Sequence, residues 1–200
     1  MSVKDGNTEQ HIKDTARRIF LKEGKLMATT QEIADAAGVN RTLLHYYFRS
    51  RDVLFDSVFQ EALTNLRERL HEVMGAALDF RKKIEGLVDV FYEELTELPY
   101  LETFVAVQLN QDPEKYKEMF VHIPGGKERI RNFLKEIQHE MEKGTIPEMK
   151  PINYFINLFA LMAHPYVARP VFINMFDLTS TAYNKLLPER KSMIMSLLFK

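Results

Sequence analysis

The stretch TTQEIADAAGVNRTLLHYYF, residues 29–48, decides the fold of this chain. A threonine opens a first short helix, because Thr29 and Thr30 are both good N-cap residues. Gly38 supplies a tight turn, since glycine adopts a left-handed backbone without strain. Asn40 is a good N-cap for a second short helix that continues to the end of the stretch. Two short helices joined by a glycine turn form a helix-turn-helix motif.

The apolar residues of this stretch have the sizes that such a motif requires. Ala34 is small and allows the two helices to approach closely. The predicted core that the helices share consists of Ile33, Val39 and Leu44. In motifs of this kind the second helix lies in the major groove of DNA, where residues near its start reach the edges of the bases. The alternative is a helical hairpin that only packs against the rest of the fold.

The remainder of the chain also has a helical pattern. Apolar residues recur at spacings of three and four, and alternating stretches bounded by turn residues are lacking, so we predict an all-α fold. A helix over 8–23 precedes the motif and ends at Gly24, and Ser50 caps a long helix that follows it. The later helices are predicted at 52–75, 80–97, 99–110, 127–143, 151–165 and 188–199, with a short one opened by Pro113.

The overall charge of −1 hides an asymmetry between the two ends of the chain. Residues 1–51 contain nine Lys/Arg and six Asp/Glu, a net charge of +3, whereas residues 52–200 contain 18 and 22, a net charge of −4. A positive excess in a small terminal module is what contact with nucleic acid requires. The charge therefore agrees with the groove-binding interpretation of the motif.

The composition argues against several other classes of protein. Cysteine is absent, which excludes disulfides, thiolate catalysis and cysteine–zinc sites. No apolar run approaches the length of about 18 residues that a membrane span needs, and the opening MSVKDGNTEQ lacks the apolar core of a signal peptide. We therefore expect a cytoplasmic protein with no membrane partner. Since paired catalytic carboxylates, metal-ligand spacings and nucleophile motifs are lacking, we expect no enzyme, no cofactor and no metal site.

Residues 12–58 resemble the N-terminal DNA-binding domain of the TetR family of bacterial transcriptional repressors. The matching pieces are Ala16, Phe20 and Gly24 of the first helix, the threonine pair, IADAAGV, and the tail YYF-R-S-R-D-V-L. The resemblance implies a helix-turn-helix domain over residues 1–51 and a helical domain for ligand binding and dimerisation over residues 52–200. The helix 52–75 would link the two domains.

The resemblance also implies a function and its partners. We expect a homodimeric regulator of transcription, most simply a repressor, that binds a near-palindromic operator in double-stranded DNA. A small apolar or amphipathic effector would bind the C-terminal domain and release the protein from DNA. Control by a protein partner is the alternative to such an effector, and a helical-bundle enzyme is a third class that no motif supports.

Individual residues of the motif take roles from the same resemblance. It places phosphate contacts at the threonine pair and at Arg51, and sugar-phosphate contacts at Tyr46 and Tyr47. Arg41 is the predicted reader of a guanine, because its fork matches the O6 and N7 acceptors. The full predicted DNA-binding set is Thr29, Thr30, Asn40, Arg41, Thr42, His45, Tyr46, Tyr47 and Arg51.

The sequence departs from the family pattern at four positions of the second helix. The family commonly has Gly or Pro, Thr, Tyr and His where this chain has Thr42, Leu43, His45 and Tyr47. These changes keep the scaffold but alter the surface that meets the bases, so the operator of a relative does not transfer to this chain. For His45, a place at the edge of the core is as good an interpretation as a DNA contact.

The C-terminal domain is rich in aromatic and methionine side chains, which suit a pocket for ligands of varied shape. The predicted pocket set is Phe91, Tyr92, Phe104, Gln108, Phe155, Met162, His164 and Tyr166. For each of these, ordinary core is the alternative. The helices 151–165 and 188–199 of two chains are expected to form a four-helix dimer interface. Its predicted contacts are Phe159, Met162, Met193, Ile194 and Leu197.

Overall fold

The computed structural model describes residues 3–112, 114 and 125–200, with side chains from residue 6 onward in these ranges. Every regular element in the described ranges is helical, which confirms the predicted all-α fold class. Pro113, and with it the short helix predicted there, lies outside the described residues.

Eleven helices occupy the described part of the chain. The first four are α1, Val3–Arg17, which continues as one π-helical turn, Arg18–Lys22; α2, Thr30–Ala36; α3, Arg41–Phe48; and α4, Arg51–Gly75. The others are α5, Phe80–Glu97; α6, Leu101–Gln111; α7, Gly126–Glu142; α8, Pro151–Val167; α9, Arg169–Met175; α10, Ser180–Leu186; and α11, Arg190–Leu198. The helices α2 to α5 therefore lie where the sequence pattern predicts them.

Two helices begin later than their prolines predict. Starts were expected at Pro99 and Pro188, but α6 begins at Leu101 and α11 at Arg190. In both cases the N–H of the first helical residue bonds to the carbonyl three positions back, at 2.9 and 3.1 Å. Each proline therefore occupies the second position of a turn that precedes the helix, which is a place that its fixed φ also favours.

The described chain divides into two compact units. The N-terminal unit comprises Met1–Asn65 and Thr96–Leu101, and the C-terminal unit comprises Leu66–Leu95 and Glu102–Lys200. The N-terminal unit is larger than the predicted domain over 1–51, because the start of α4 supplies part of its core. Phe55 packs edge-to-face on Phe20 with ring centroids 5.2 Å apart and stacks on Phe59 at 5.8 Å. That residue 51 is the functional boundary remains a prediction.

A corner between α5 and α6 completes the N-terminal unit at the π-helical turn. The Tyr100 N–H donates to Leu21 O at 3.1 Å, and Lys22 Nζ lies 3.3 Å from Glu97 Oε2. Gly24 has a φ of +70°, and a Cβ built there would lie 2.5 Å from Cζ of Tyr100. Glycine is therefore required at this position both by the backbone and by the close approach of the ring.

In the C-terminal unit, a proline inside α8 is compensated by side chains of later helices. Pro165 has no N–H, so Leu161 O loses its helical donor. Arg190 Nη2 of α11 donates to that oxygen at 3.1 Å, and Tyr183 OH of α10 donates to Pro165 O at 2.7 Å. As a result α8 continues to Val167 instead of stopping at the proline.

The apolar character of α8 and α9 raises the question of a membrane span. Among the described residues, no single helix is both long and apolar enough to cross a bilayer. These two helices satisfy the criterion only when they are joined, and they are bent by 63° at their break.

Candidate nucleic-acid interface

The start of α2 is fixed by a reciprocal pair of hydrogen bonds. Thr29 Oγ1 accepts from the Glu32 N–H at 3.2 Å, and Glu32 Oε2 accepts from the Thr29 N–H at 2.7 Å. The same carboxylate accepts from the Thr29 hydroxyl at 2.8 Å. Because these donors stabilise the charged form, the pKa of Glu32 is lowered from its ordinary value. The structure confirms Thr29 as N-cap, whereas Thr30 is nearly enclosed.

The glycine turn is anchored to α2, which precedes it, and to α1, which packs beside it. Gly38 has a φ of +65°, and the Val39 N–H donates to Ala34 O at 3.0 Å. The His11 ring on α1 bonds through Nε2 to Ala37 O at 3.0 Å. Sequence reasoning did not single out His11, and no local pattern marks it, because its partner lies 26 residues away.

The recognition helix candidate α3 begins with a second side-chain cap. Asn40 Oδ1 accepts from the Leu43 N–H at 2.7 Å, which confirms the predicted cap. The cap uses the side-chain oxygen Oδ1 of Asn40, so the side-chain NH2 group at Nδ2 is left for a base contact. Leu44 is buried as predicted, and together with the buried Phe48 it fixes the opposite face of the helix.

A chain of hydrogen bonds orients Arg41 on the exposed face of α3. Arg41 Nε donates to His45 Nε2 at 3.2 Å. His45 bonds in turn through Nδ1 to Arg49 O at 2.8 Å. Since Nε2 accepts from the arginine, Nδ1 carries the proton and donates. His45 therefore supports Arg41 and leaves both Nη groups of the guanidinium for an outside acceptor.

The aromatic pair predicted to meet the DNA backbone is partly exposed. The Tyr46 side chain is 74% exposed. Its ring packs edge-to-face on Tyr47 with centroids 5.1 Å apart, and Tyr47 is half-buried. Arg41 and Thr42 are also exposed. The exposed surface of α3 therefore combines the polar groups of Arg41 and Thr42 with the large ring of Tyr46.

Arg51 is engaged inside the protein. Its Nε donates to Ala28 O at 3.0 Å, its Nη2 donates to Leu26 O, and its Nη1 donates to Asp52 Oδ1 at 2.9 Å. Three of its five N–H groups are thereby used. The phosphate contact predicted for Arg51 stays a prediction, and these bonds compete with it.

Most residues of the predicted effector pocket lie inside the C-terminal unit. Four of them are buried, namely Phe91, Phe104, Met162 and Tyr166, while Tyr92, Gln108 and Phe155 are half-buried. The rings of Tyr92 and Tyr166 lie 6.0 Å apart, and burial raises the pKa of Tyr92. His164 is exposed and lines a groove of about 480 Å³ together with Leu161, Arg190 and Leu197. The other seven predicted residues do not line this groove.

The predicted dimer contacts divide into exposed and enclosed residues. Met193 and Leu197 on α11 are 53% and 60% exposed. Met162 and Ile194 are fully enclosed within their own unit, which corrects the prediction for these two, because their side chains have no surface to offer a partner. Phe159 is half-buried, and its ring contacts that of Phe155 in a tilted arrangement with centroids 4.7 Å apart. In addition, Ile152 and Ile156 are exposed large apolar residues of α8, a helix that packs against α11.

Comparison with known proteins gives matches to regulators of transcription. Residues 12–58 match the family model for bacterial regulatory proteins of the tetR family. The HTH-type transcriptional repressor KstR2 of Rhodococcus jostii (strain RHA1) is 30% identical over 115 residues, which are 58% of this chain and 53% of that protein. The chain thus matches about half the length of this curated relative.

Two solved structures share the fold over nearly the whole chain. The hemolysin II transcriptional regulator HlyIIR has a TM-score of 0.66 at 18% identity, with 98% of this chain and 99% of that chain covered. The ketosteroid transcriptional regulator KstR2 of Mycobacterium tuberculosis has a TM-score of 0.66 at 14% identity, with coverages of 100% and 97%. At these identities the likeness shows the fold alone. The named relatives are regulators and not enzymes, as the sequence predicted.

Proposed function

Because the chain belongs to the TetR family of bacterial regulatory proteins, we propose that it is a homodimeric repressor of transcription. It binds a near-palindromic operator and leaves it when a small apolar or amphipathic effector binds the C-terminal unit. The observation that carries the proposal is the first turn of α3, where Arg41 and Thr42 are exposed on a helix capped by Asn40.

The geometry of α3 supports direct reading of bases. With Nε held by His45, the two Nη groups of Arg41 are the donors that match O6 and N7 of a guanine. Thr29, Tyr46 and Tyr47 then contact the sugar-phosphate backbone, which fixes the register on DNA but carries no sequence information. The side-chain caps keep α2 and α3 in place before DNA arrives, so little conformational entropy is lost on binding.

The exposed apolar residues of the C-terminal unit support a dimer. Ile152 and Ile156 are one helical turn apart on α8, and Met193 and Leu197 are one turn apart on α11. These two stripes lie on helices that pack against each other. A two-fold axis beside them would bury both stripes in a four-helix bundle. The dimer would place two α3 helices in successive major grooves about 34 Å apart.

Release by an effector follows from differential binding to two conformations. An effector that fits one conformation of the C-terminal unit better than the other shifts the population toward it. The helix α4 belongs to both units and is the covalent route by which the shift reaches α2 and α3. If the separation of the two α3 helices changes, they no longer match successive grooves, and the affinity for the operator falls.

Selection of bound duplexes from a random DNA pool, followed by sequencing, tests the proposal. We expect a near-palindromic motif whose selection weakens at one guanine position when Arg41→Ala is used. Arg131→Ala is the matched control, since it removes an exposed arginine from the C-terminal unit. Binding that depends on salt but selects no motif would contradict sequence-specific regulation.

Thermal unfolding with a panel of compounds tests the effector. A ligand that binds only the folded state raises the melting temperature, and the operator affinity should fall at the same ligand concentrations. If no compound shifts the melting temperature while a bacterial protein partner does release the operator, control by a protein replaces control by a small molecule.

A further inference from the structure

We propose that Arg51 is a positioning residue, which holds the N-cap of α2 against the start of α4 and does not bind a DNA phosphate. The fork of its guanidinium donates to two carbonyl oxygens of the loop before α2, those of Leu26 and Ala28. These oxygens belong to residues two apart, and a planar group with several parallel N–H bonds is suited to hold both.

The surroundings of the guanidinium favour the inward position. Its Cζ lies 5.3 Å from the ring centroid of Phe20 and 5.8 Å from that of Phe55, so the charge meets two aromatic faces. Asp52 Oδ1 accepts from it at 2.9 Å and compensates part of the charge. The side chain is only 31% exposed. A turn toward DNA would leave the carbonyls of Leu26 and Ala28 without this donor, which is costly for partly buried acceptors.

The two hydrogen bonds from Arg51 to Leu26 O and Ala28 O are called the clamp below. The position of these carbonyls explains why the clamp matters for DNA binding. Ala28 is buried and directly precedes Thr29, the residue whose hydroxyl and N–H start α2. Fixing Ala28 O therefore fixes Thr29, and α2 carries the glycine turn and α3. Arg51 is also the first residue of α4, which continues into the C-terminal unit. The inference rests on the proposed function for its consequence, which is that displacement of α4 is passed to α2 through this fork.

Two substitutions separate positioning from phosphate binding. Arg51→Lys keeps the positive charge but lacks the planar fork, and Arg51→Gln loses the charge. The same two changes at Arg49, an exposed arginine two residues before Arg51, are the matched controls. Each variant is measured by amide hydrogen exchange without DNA over residues 28–33, and by operator affinity over a range of salt concentrations. Melting by circular dichroism reports whether each variant is folded.

For a positioning residue, both Arg51 variants exchange faster over residues 28–33 in the free protein, while the Arg49 variants do not. Both should lose about tenfold in operator affinity, because charge-assisted bonds within the protein are lost. The slope of log affinity against log salt should stay unchanged. A phosphate contact gives the opposite set, in which Arg51→Lys keeps its affinity, Arg51→Gln lowers the slope by about one, and exchange is unaltered.

The exchange measurement keeps this test independent of the proposed function. If the wild-type protein selects no operator, the proposed function fails, yet faster exchange over residues 28–33 would still support the clamp. If exchange and affinity are both unchanged in Arg51→Lys and Arg51→Gln, the clamp is overturned while the proposed function stands. Should Arg51→Gln melt below the assay temperature, Arg51→Lys alone decides between the two roles.

Discussion

In the N-terminal unit, short-range hydrogen bonds satisfy the helix starts, whereas in the C-terminal unit an interrupted helix is satisfied over long sequence distances. Three side chains cap the starts of α2, α3 and α4, namely those of Thr29, Asn40 and Ser50. Each accepts a hydrogen bond from the backbone N–H three residues ahead. The interruption at Pro165 instead needs Tyr183, 18 residues away, and Leu161 needs Arg190, 29 residues away. Short-range bonds therefore define where the helices of the N-terminal motif begin, whereas the continuity of α8 in the C-terminal unit depends on how the last helices pack.

The exposed surfaces of the two units also differ in their polarity. In the N-terminal unit, α3 presents a guanidinium, a hydroxyl and the ring of Tyr46. In the C-terminal unit, α8 and α11 present aliphatic and methionine side chains, of which Leu197 is the most exposed on α11. The first surface suits a charged, polar partner and the second an apolar one. Substitutions in each unit test whether this contrast holds.

The largest effect is expected from Leu197→Glu. A charge on the apolar stripe of α11 would be buried without a partner in the dimer, so we expect monomers and a loss of operator affinity of at least about 100-fold. Sedimentation velocity and a binding titration measure the two effects. Leu78→Glu is the control, since Leu78 is 48% exposed in the same unit but belongs to neither α8 nor α11. A Leu197→Glu dimer of unchanged strength would refute this interface.

Gly24→Ala probes the long-range contact that the N-terminal unit does contain. The new Cβ would meet the Tyr100 ring and also suffer the positive φ, so we expect a loss of about 3 kcal/mol in unfolding free energy. Gly38→Ala is the matched control, because its φ is +65° but a Cβ at this position would have no neighbouring atom within 4 Å. It should lose about 1 kcal/mol. Equal losses in urea unfolding would mean that the Tyr100 contact does not constrain Gly24.

Tyr183→Phe tests the long-range bond at the interrupted helix. Removing the hydroxyl leaves Pro165 O without its donor in a buried place, so we expect a loss of about 1–2 kcal/mol. Thr29→Ala, which removes a local cap, should cost about 1 kcal/mol, and Thr29→Ser should restore most of it. Urea unfolding of the three variants measures both effects. A neutral Tyr183→Phe would show that Pro165 O is satisfied by water.

The smallest effect concerns two carboxyl groups with opposite environments. Burial raises the pKa of Glu102 from 4.5 to about 7, whereas hydrogen bonds lower the pKa of Glu32. Because the folded state binds the Glu102 proton more tightly than the unfolded state, stability should fall as the pH rises from about 4.5 to 7. Glu102→Gln should abolish that fall and add about 1 kcal/mol at pH 8, after allowance for its partial exposure.

Glu32 should show the reverse dependence. Its pKa is lowered in the folded state, so its contribution is complete above the ordinary value of 4.5 and is lost as the pH falls through the lowered value. Urea unfolding at pH 4, 5 and 8 of wild type, Glu32→Gln and Glu102→Gln distinguishes the two groups. Identical pH profiles for the two variants would contradict both assignments.

The extent to which sequence predicts this structure follows from the same contrast. The helices α2, α3 and α4 are predictable because Thr29, Asn40 and Ser50 form bonds with residues three positions ahead. The contact of Arg41 with His45 was also within reach, since residues four apart share a helix face. By contrast, no helix was predicted over the range of α9 and α10, whose boundary includes Asp177 at a φ of +50°, a conformation that aspartate adopts more often than most residues but still uncommonly.

The roles of Arg51 and Tyr100 could not be predicted for a related reason. An arginine after α3 suits either a phosphate or a backbone carbonyl, and only the three-dimensional position of Leu26 and Ala28 shows which acceptors it reaches. The partner of Gly24 lies 76 positions along the chain, at Tyr100, and nothing near either residue announces the other. In the same way, the helical period places Ile194 and Leu197 on one helix but does not say which one faces outward.

The N-terminal unit is discontinuous along the chain, and this has a consequence for synthesis on the ribosome. Its last piece, Thr96–Leu101, begins with the final residues of α5 and is translated only after all of α4 and most of α5. The nascent DNA-binding unit therefore lacks the Tyr100 contact with Gly24 until about half of the 200 residues have been made. Exchange of C-terminal units between genes by recombination meets the same constraint. A crossover after residue 65 would join Gly24 to a corner from another protein, unless that corner brought a ring of similar shape.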